Sequence, residues 1–237
     1  MFQTIKTRLV EKKNLSKNIW LLKFSLIEPK NFSFSAGQYM TISLNDQLGK
    51  PVSRAYSIAT SPEITNFFEL VIQFVPNGVA SSYFSNLKIN NEVVFRGPAG
   101  IFGVKNSSKN IVFLVTGTGI APVLSILPYL LKNSFYQVSL FWGLQTKDNV
   151  YLLDRLVNLE KTYKNFGFKI CLSKKTGVED GNFASGRINE VYKKNFEKFG
   201  YESFDHYICG SRDIVFSLNE FLTTLNLPKN QVYFEKF

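Results

Sequence analysis

The stretch "IVFLVTGTGIAPVLSIL", residues 111–127, carries an apolar, β-branched run straight into a Gly-Thr-Gly loop and then into a second apolar segment. That order reads as a buried strand, a tight turn and the start of a helix. Gly117 and Gly119 permit a sharp turn and a close backbone approach, so the free N–H groups of the helix start can face a pyrophosphate. Pro122 stands where the dinucleotide fingerprint GxGxxG carries its third glycine, and it reads as a first helical position, where a missing N–H costs nothing. The next strand, "VSLFWG" (138–143), ends without the acidic residue that would hold an adenosine ribose. A pyrophosphate loop with a different adenosine site fits these residues, and so does a plain strand-to-helix turn.

Downstream, the chain alternates strand and helix. Strands are predicted at 111–115, 138–142, 168–172, 206–209 and 231–235, separated by helical patterns. In "DNVYLLDRLVNLEKTY" (148–163), Leu152, Leu156, Leu159 and Tyr163 share one face, and Ile214, Leu218, Phe221, Leu222 and Leu225 form a second core stripe. This order implies a parallel sheet with crossover helices. Upstream, the period is two. Trp20, Leu22, Phe24 and Leu26 alternate with polar residues, as do Phe68, Leu70, Ile72 and Phe74. With further strands at 3–12, 38–44, 52–59 and 92–96 and a short helix at 80–87, this half reads as a small antiparallel barrel. The polar "GVKNSSKN" (103–110) separates a barrel domain, 1–105, from an α/β domain, 106–237.

Composition narrows the classes. Apolar residues at 45 % and charged residues at 19 % describe a globular protein. No apolar run approaches the ~20 residues of a membrane span, and the first residues lack the apolar core of a signal peptide, so a cytoplasmic protein is expected. Two cysteines, Cys171 and Cys209, with no CxxC spacing, support neither a disulfide framework nor a zinc or iron-sulfur site. The net charge of +10 is spread: residues 1–105 hold 12 basic and 6 acidic side chains, residues 106–237 hold 16 and 12. Dispersed lysines without a binding motif argue against nucleic acid; an acidic protein partner and simple lysine enrichment both remain compatible. His206, the only histidine, reads as a surface residue.

Six motifs occur in one order: "RAYS" (54–57), "GVASSYF" (78–84), "FRGPAG" (95–100), "TGTGIAP" (116–122), "YICGS" (207–211) and "FEKF" (234–237). By these the chain resembles the ferredoxin-NADP reductase superfamily along nearly its whole length. The resemblance implies an FAD-binding antiparallel barrel followed by a pyridine-nucleotide α/β domain. It implies that Arg54 holds the flavin pyrophosphate, that Tyr56, within the Arg54-Ala55-Tyr56-Ser57 strand, packs on the isoalloxazine, and that Ser57 bonds near its N5. Val71 to Gln73 would line the flavin, while Gly78, Ser81 and Ser82 would hold its phosphates. Thr116, Gly117, Thr118, Gly119 and Pro122 would take the pyrophosphate of NADPH, and Cys209 and Gly210 would lie beside the nicotinamide. Ser211 replaces the family's usual proline. Phe237 would cover the flavin face, with Glu235 as a charge or proton relay. "FKICL" running into "SKK" places Ser173 and Lys174, with Lys175 and Arg187, where related enzymes read the 2′-phosphate, so NADPH is expected ahead of NADH. Electrons would pass to a separate ferredoxin or flavodoxin. The alternatives are a reductase of free flavin or of an oxygenase component, and a flavin-binding sensor without turnover.

Overall fold

The computed structural model describes residues 3–105, 109–174, 181–196 and 200–237. Its contacts group into two compact units, Met1–Gly103 with Ala121–Tyr129, and Val104–Ile120 with Leu130–Phe237.

The first unit follows from alternation. β1 (Gln3–Ser16), β2 (Ile19–Glu28), β3 (Tyr39–Asn45), β4 (Pro51–Ser57), β5 (Phe67–Gln73) and β6 (Glu92–Ala99) form one antiparallel sheet in the order β4-β3-β6-β1-β2-β5. A bridge between Ile58 and Leu70, with the Ala59 N–H donating to Glu69 O at 2.9 Å, joins the two outer strands and closes the barrel. Leu22, Phe24 and Leu26 on β2 and Phe68, Leu70 and Ile72 on β5 point inward, as their period requires. Phe24 meets Phe68 at 5.6 Å and Phe95 at 4.9 Å between ring centroids, and these rings form the barrel's aromatic centre. Trp20 falls outside that centre and stacks on Phe74. α1 (Val79–Asn86) buries Ala80 and Phe84 in this core.

In the second unit, β7 (Asn110–Thr116), β8 (Val138–Leu144), β9 (Phe166–Leu172), β10 (Phe183–Ser185), β11 (Phe204–Gly210) and β12 (Val232–Lys236) run parallel in the order β10-β9-β8-β7-β11-β12. Its helices are α3 (Leu153–Thr162), α4 (Ile188–Phe196) and α5 (Arg212–Thr224), whereas α2 (Ile120–Asn133), which follows β7, is divided between the units, its Ala121–Tyr129 stretch grouping with the first. Three sequence expectations change. The helix predicted from 148 begins only at Leu153, because Thr146 and Asn149 close a turn of their own (Thr146 N–H to Asn149 Oδ1, 3.1 Å) and Leu152 adopts φ 52°. On α5 the buried residues are Val215, Leu218 and Leu222, which turns Ile214 toward solvent at 39 % exposure. His206 is fully buried on β11, with its Nε2 2.7 Å from the Tyr192 hydroxyl.

Burial lowers the pKa of His206 to about 4, against an ordinary 6.5. Between these values the unfolded chain binds a proton that the folded chain refuses. His206 therefore destabilises the fold as pH falls from 6.5 toward 4, by up to about 3 kcal/mol. Thermal unfolding of His206→Gln, which cannot titrate, is expected to show a shallower loss of stability over this window than the parent protein; equal slopes would rule out His206 as the source.

Candidate functional site

All six strands of the second sheet end on the same edge, and the chain reverses its direction of growth between β7, which leads to β8 on one side, and β11 on the other. The loop after β7 is a single 3-10 turn, Gly117–Gly119, which caps α2. Gly117 has φ +50° and nothing within 4 Å of where a Cβ would stand, so its backbone faces open space. Gly119 is required for a different reason. A Cβ there would lie 2.7 Å from the Cys209 carbonyl carbon and closer to its oxygen, and a Cβ on Gly210 would collide with Thr116 Oγ1. The loop after β7 thus packs its backbone against that of Cys209, and the Thr116 side chain fills the space over Gly210. Pro122 is the third residue of α2 rather than the first. The position remains compatible, because the first four helical N–H groups lack intrahelical partners. Thr116, Gly117 and Thr118 stay partly exposed while Gly119 is buried.

Trp142 is the site residue that sequence reasoning missed. Fully buried on β8 beside Val115, it donates its indole N–H to Gly117 O at 3.0 Å and so holds the loop's first carbonyl away from the open side. Its position next to Gly143 at a strand end was the available signal.

The chain terminus is anchored to the same edge. Cys209 pairs with Glu235 and Gly210 with Lys236, and the Phe237 N–H donates to Gly210 O at 3.3 Å. The Phe237 ring is 56 % exposed although its backbone is tied down. Glu235 Oε2 is buried with no hydrogen-bond partner among the described residues, and burial pushes this carboxyl up to about 7. Burial, and after it the charge of Glu235, raises the Cys209 thiol well above its ordinary range.

Further along the edge, Ser173 and Lys174 follow β9 with their N–H groups bonded to Leu144 O (2.9 Å) and Gln145 O (3.0 Å), and their side chains are exposed. The Gly186 N–H donates to Leu172 O at 2.9 Å, which brings the exposed Arg187 to the same strand ends. Lys175 lies outside the described residues.

In the first unit, Arg54 and Ala55 on β4 are exposed, while Tyr56 and Ser57 are half-buried. Tyr56 sets its ring edge-on to Phe84 of α1 at 5.4 Å, so the barrel core fixes its plane. Burial, partly offset by the Arg54 charge, raises its hydroxyl to about 12. Val71 is buried near the end of β5 and Gln73 is exposed. Gly78 caps α1 in an extended conformation. Ser81 Oγ accepts the Val75 N–H at 2.9 Å and keeps its own proton to donate, and the Ser82 side chain is exposed beside it.

Comparison with known proteins places these two units. Residues 6–103 match the oxidoreductase FAD-binding domain family and residues 113–218 the oxidoreductase NAD-binding domain family. The chain is 26 % identical over 246 residues to the reductase component of propane 2-monooxygenase from Rhodococcus jostii, covering 99 % of this chain and 64 % of that protein. It is 28 % identical to the electron transfer component of anthranilate 1,2-dioxygenase from Acinetobacter baylyi, covering 88 % of this chain and 59 % of that one. Among solved structures, a cytochrome P450 reductase from Amycolatopsis superposes with a TM-score of 0.88 at 22 % identity, over all of this chain and 70 % of its own. A ferredoxin NADP+ reductase from Neisseria gonorrhoeae, solved with FAD and NADP, superposes with a TM-score of 0.79 at 23 % identity, over 99 % of this chain and 98 % of its own. With both domain families present in order on a barrel and a parallel sheet of this topology, the chain belongs to the ferredoxin-NADP reductase superfamily, as an oxidoreductase FAD-binding domain followed by an oxidoreductase NAD-binding domain.

Proposed function

We propose that this protein takes hydride from NADPH onto FAD and hands the electrons to a separate acidic carrier protein, a ferredoxin or flavodoxin. The observation that carries the reading is the carboxyl edge of the second sheet, where the glycine loop, Cys209-Gly210 and the anchored terminus Glu235 to Phe237 end together. The residues fit the two nucleotides. Gly119 and Gly210 keep a backbone cradle free of Cβ atoms, Gly117 opens it to a ligand, and Arg54 with Ser81 and Ser82 offers a cationic and hydroxylic donor set for phosphate. Bound together, the two cofactors supply the hydride transfer, and the protein's share is binding and alignment within roughly 3–3.5 Å.

Each residue then has a task. Arg54 binds the flavin pyrophosphate with its planar fork, Tyr56 presents a fixed aromatic plane, and Ser57 donates near the flavin N5. Thr116 to Gly119 and Pro122 receive the pyrophosphate of NADPH. Cys209 offers a neutral thiol beside the nicotinamide. Glu235, with a carboxyl that titrates near neutrality, holds or releases a proton at Oε2. The family resemblance gives Phe237 the task of covering the flavin face until nicotinamide replaces it. Two buried free thiols suit a reducing cytoplasm.

The names of the relatives favour one variant of the acceptor. Several are reductase or electron transfer components of oxygenases, so an oxygenase's iron-sulfur partner is the second reading. An acidic carrier approaches a surface with a net charge of +10, and such attraction is screened over about 8 Å at physiological ionic strength. Carrier reduction is therefore expected to slow steeply with added salt while reduction of a neutral small acceptor such as riboflavin changes little. Parallel salt dependences would exclude an electrostatically guided partner.

The coenzyme preference rests on Ser173, Lys174 and Arg187, which gather a hydroxyl and two cations at the ends of β9 and β10 with no acidic residue closing β8. Replacing Ser173 and Lys174 together by Ala is expected to raise KM for NADPH at least tenfold and to leave KM for NADH within about twofold. Equal increases for both nucleotides would remove these residues from 2′-phosphate recognition.

A further inference from the structure

α1 is a helix of eight residues with no basic side chain in its last turn. An isolated helix of this length is marginal in water, and the negative pole at its carboxyl end is left to other groups. That end receives a lysine from 73 residues upstream: Lys12 of β1 donates from Nζ to Ser85 O at 2.6 Å and to Leu87 O at 3.0 Å. The same ammonium lies 5.6 Å from the centroid of the Trp20 ring, which stacks in turn on Phe74 at 5.5 Å. Lys12 is half-buried by these neighbours, and no salt bridge to it occurs among the described residues. A charge held this way acts on the helix and not on a surface carboxylate.

The opposite end of α1 carries Gly78, Ser81 and Ser82. We propose that Lys12 is a positioning residue for the flavin phosphates: it completes the carboxyl end of α1 and thereby fixes the direction in which the helix presents its amino end to the FAD pyrophosphate. This rests on the reading of α1 as the phosphate helix. Lys12 itself touches no cofactor. Three consequences follow from charge and geometry. Removing the ammonium leaves Ser85 O and Leu87 O without their donor, loosens the last turn, and releases the direction in which the amino-terminal N–H groups point. The effect must fall on ligands that carry phosphate. A ligand with the same ring system and no phosphate gains nothing from those groups.

Riboflavin, FMN and FAD provide that comparison. Apoprotein titrations by flavin fluorescence are expected to show FAD and FMN binding about fivefold weaker in Lys12→Met, whose stem still packs on Trp20, with riboflavin affinity changed less than twofold. Lys12→Arg, which restores the charge and the donors, is expected to return FAD affinity to within twofold of the parent, and Lys12→Gln, which keeps donors without charge, to fall between. Should Lys12→Met not fold, the Gln variant makes the same comparison. Equal weakening of riboflavin and FAD would show a loose barrel instead of a positioned helix and would overturn the proposal, as would unchanged FAD binding in Lys12→Met or Lys12→Gln. A parent protein that binds riboflavin and FAD equally well would refute the reading of α1 itself.

Discussion

The second unit is organised around one close approach. The carboxyl ends of β7 and β11 meet so tightly that neither Gly119 nor Gly210 has room for a Cβ. In a parallel sheet these two strands flank the point where the order of connection reverses, and the backbone there is the natural floor of a ligand crevice. Side chains at either position would lift the loop off the strand. The requirement reaches further than the loop, because β12 pairs with β11 and carries Glu235 and Phe237 to the same edge. Trp142 fixes the remaining freedom by holding Gly117 O.

The barrel uses packing where the second sheet uses backbone contact. Its aromatic centre, Phe24, Phe68, Phe84 and Phe95, is continuous with the ring of Tyr56, so the plane offered at the surface is set from inside. α1 shares that core through Phe84 and is tied at its far end by Lys12. A short helix and a single tyrosine are thereby held with a precision that neither has alone.

The parts that were legible in the sequence are those governed by local periodicity. Alternation in β2 and β5, the β-branched run of β7 and the glycine loop all follow from spacing, and the motif order pointed to both domains. What local pattern does not encode was misread or missed. His206 looks like an exposed polar residue until Tyr192, 14 residues upstream on α4, supplies a partner in the core. The late start of α3 depends on Asn149 closing a turn with Thr146, a competition that helical periodicity cannot register. β10 was not anticipated, since a three-residue strand gives little period to read. Trp142 reads as core, and its place beside Gly143 at a strand end hints at the loop without showing that its N–H is bonded to Gly117 O.

The central claim, that the backbone contact at Gly119 forms the nicotinamide nucleotide site, is tested most directly by anaerobic stopped-flow reduction of the FAD-loaded protein in the parent and in Gly119→Ala. The account predicts unchanged FAD content and a lowered unfolding temperature, with the apparent Kd for NADPH in the still-folded protein raised at least tenfold, because the loop must move away from Cys209 to admit the methyl group. Parent-like NADPH affinity and reduction rate in a correctly folded Gly119→Ala protein would contradict it.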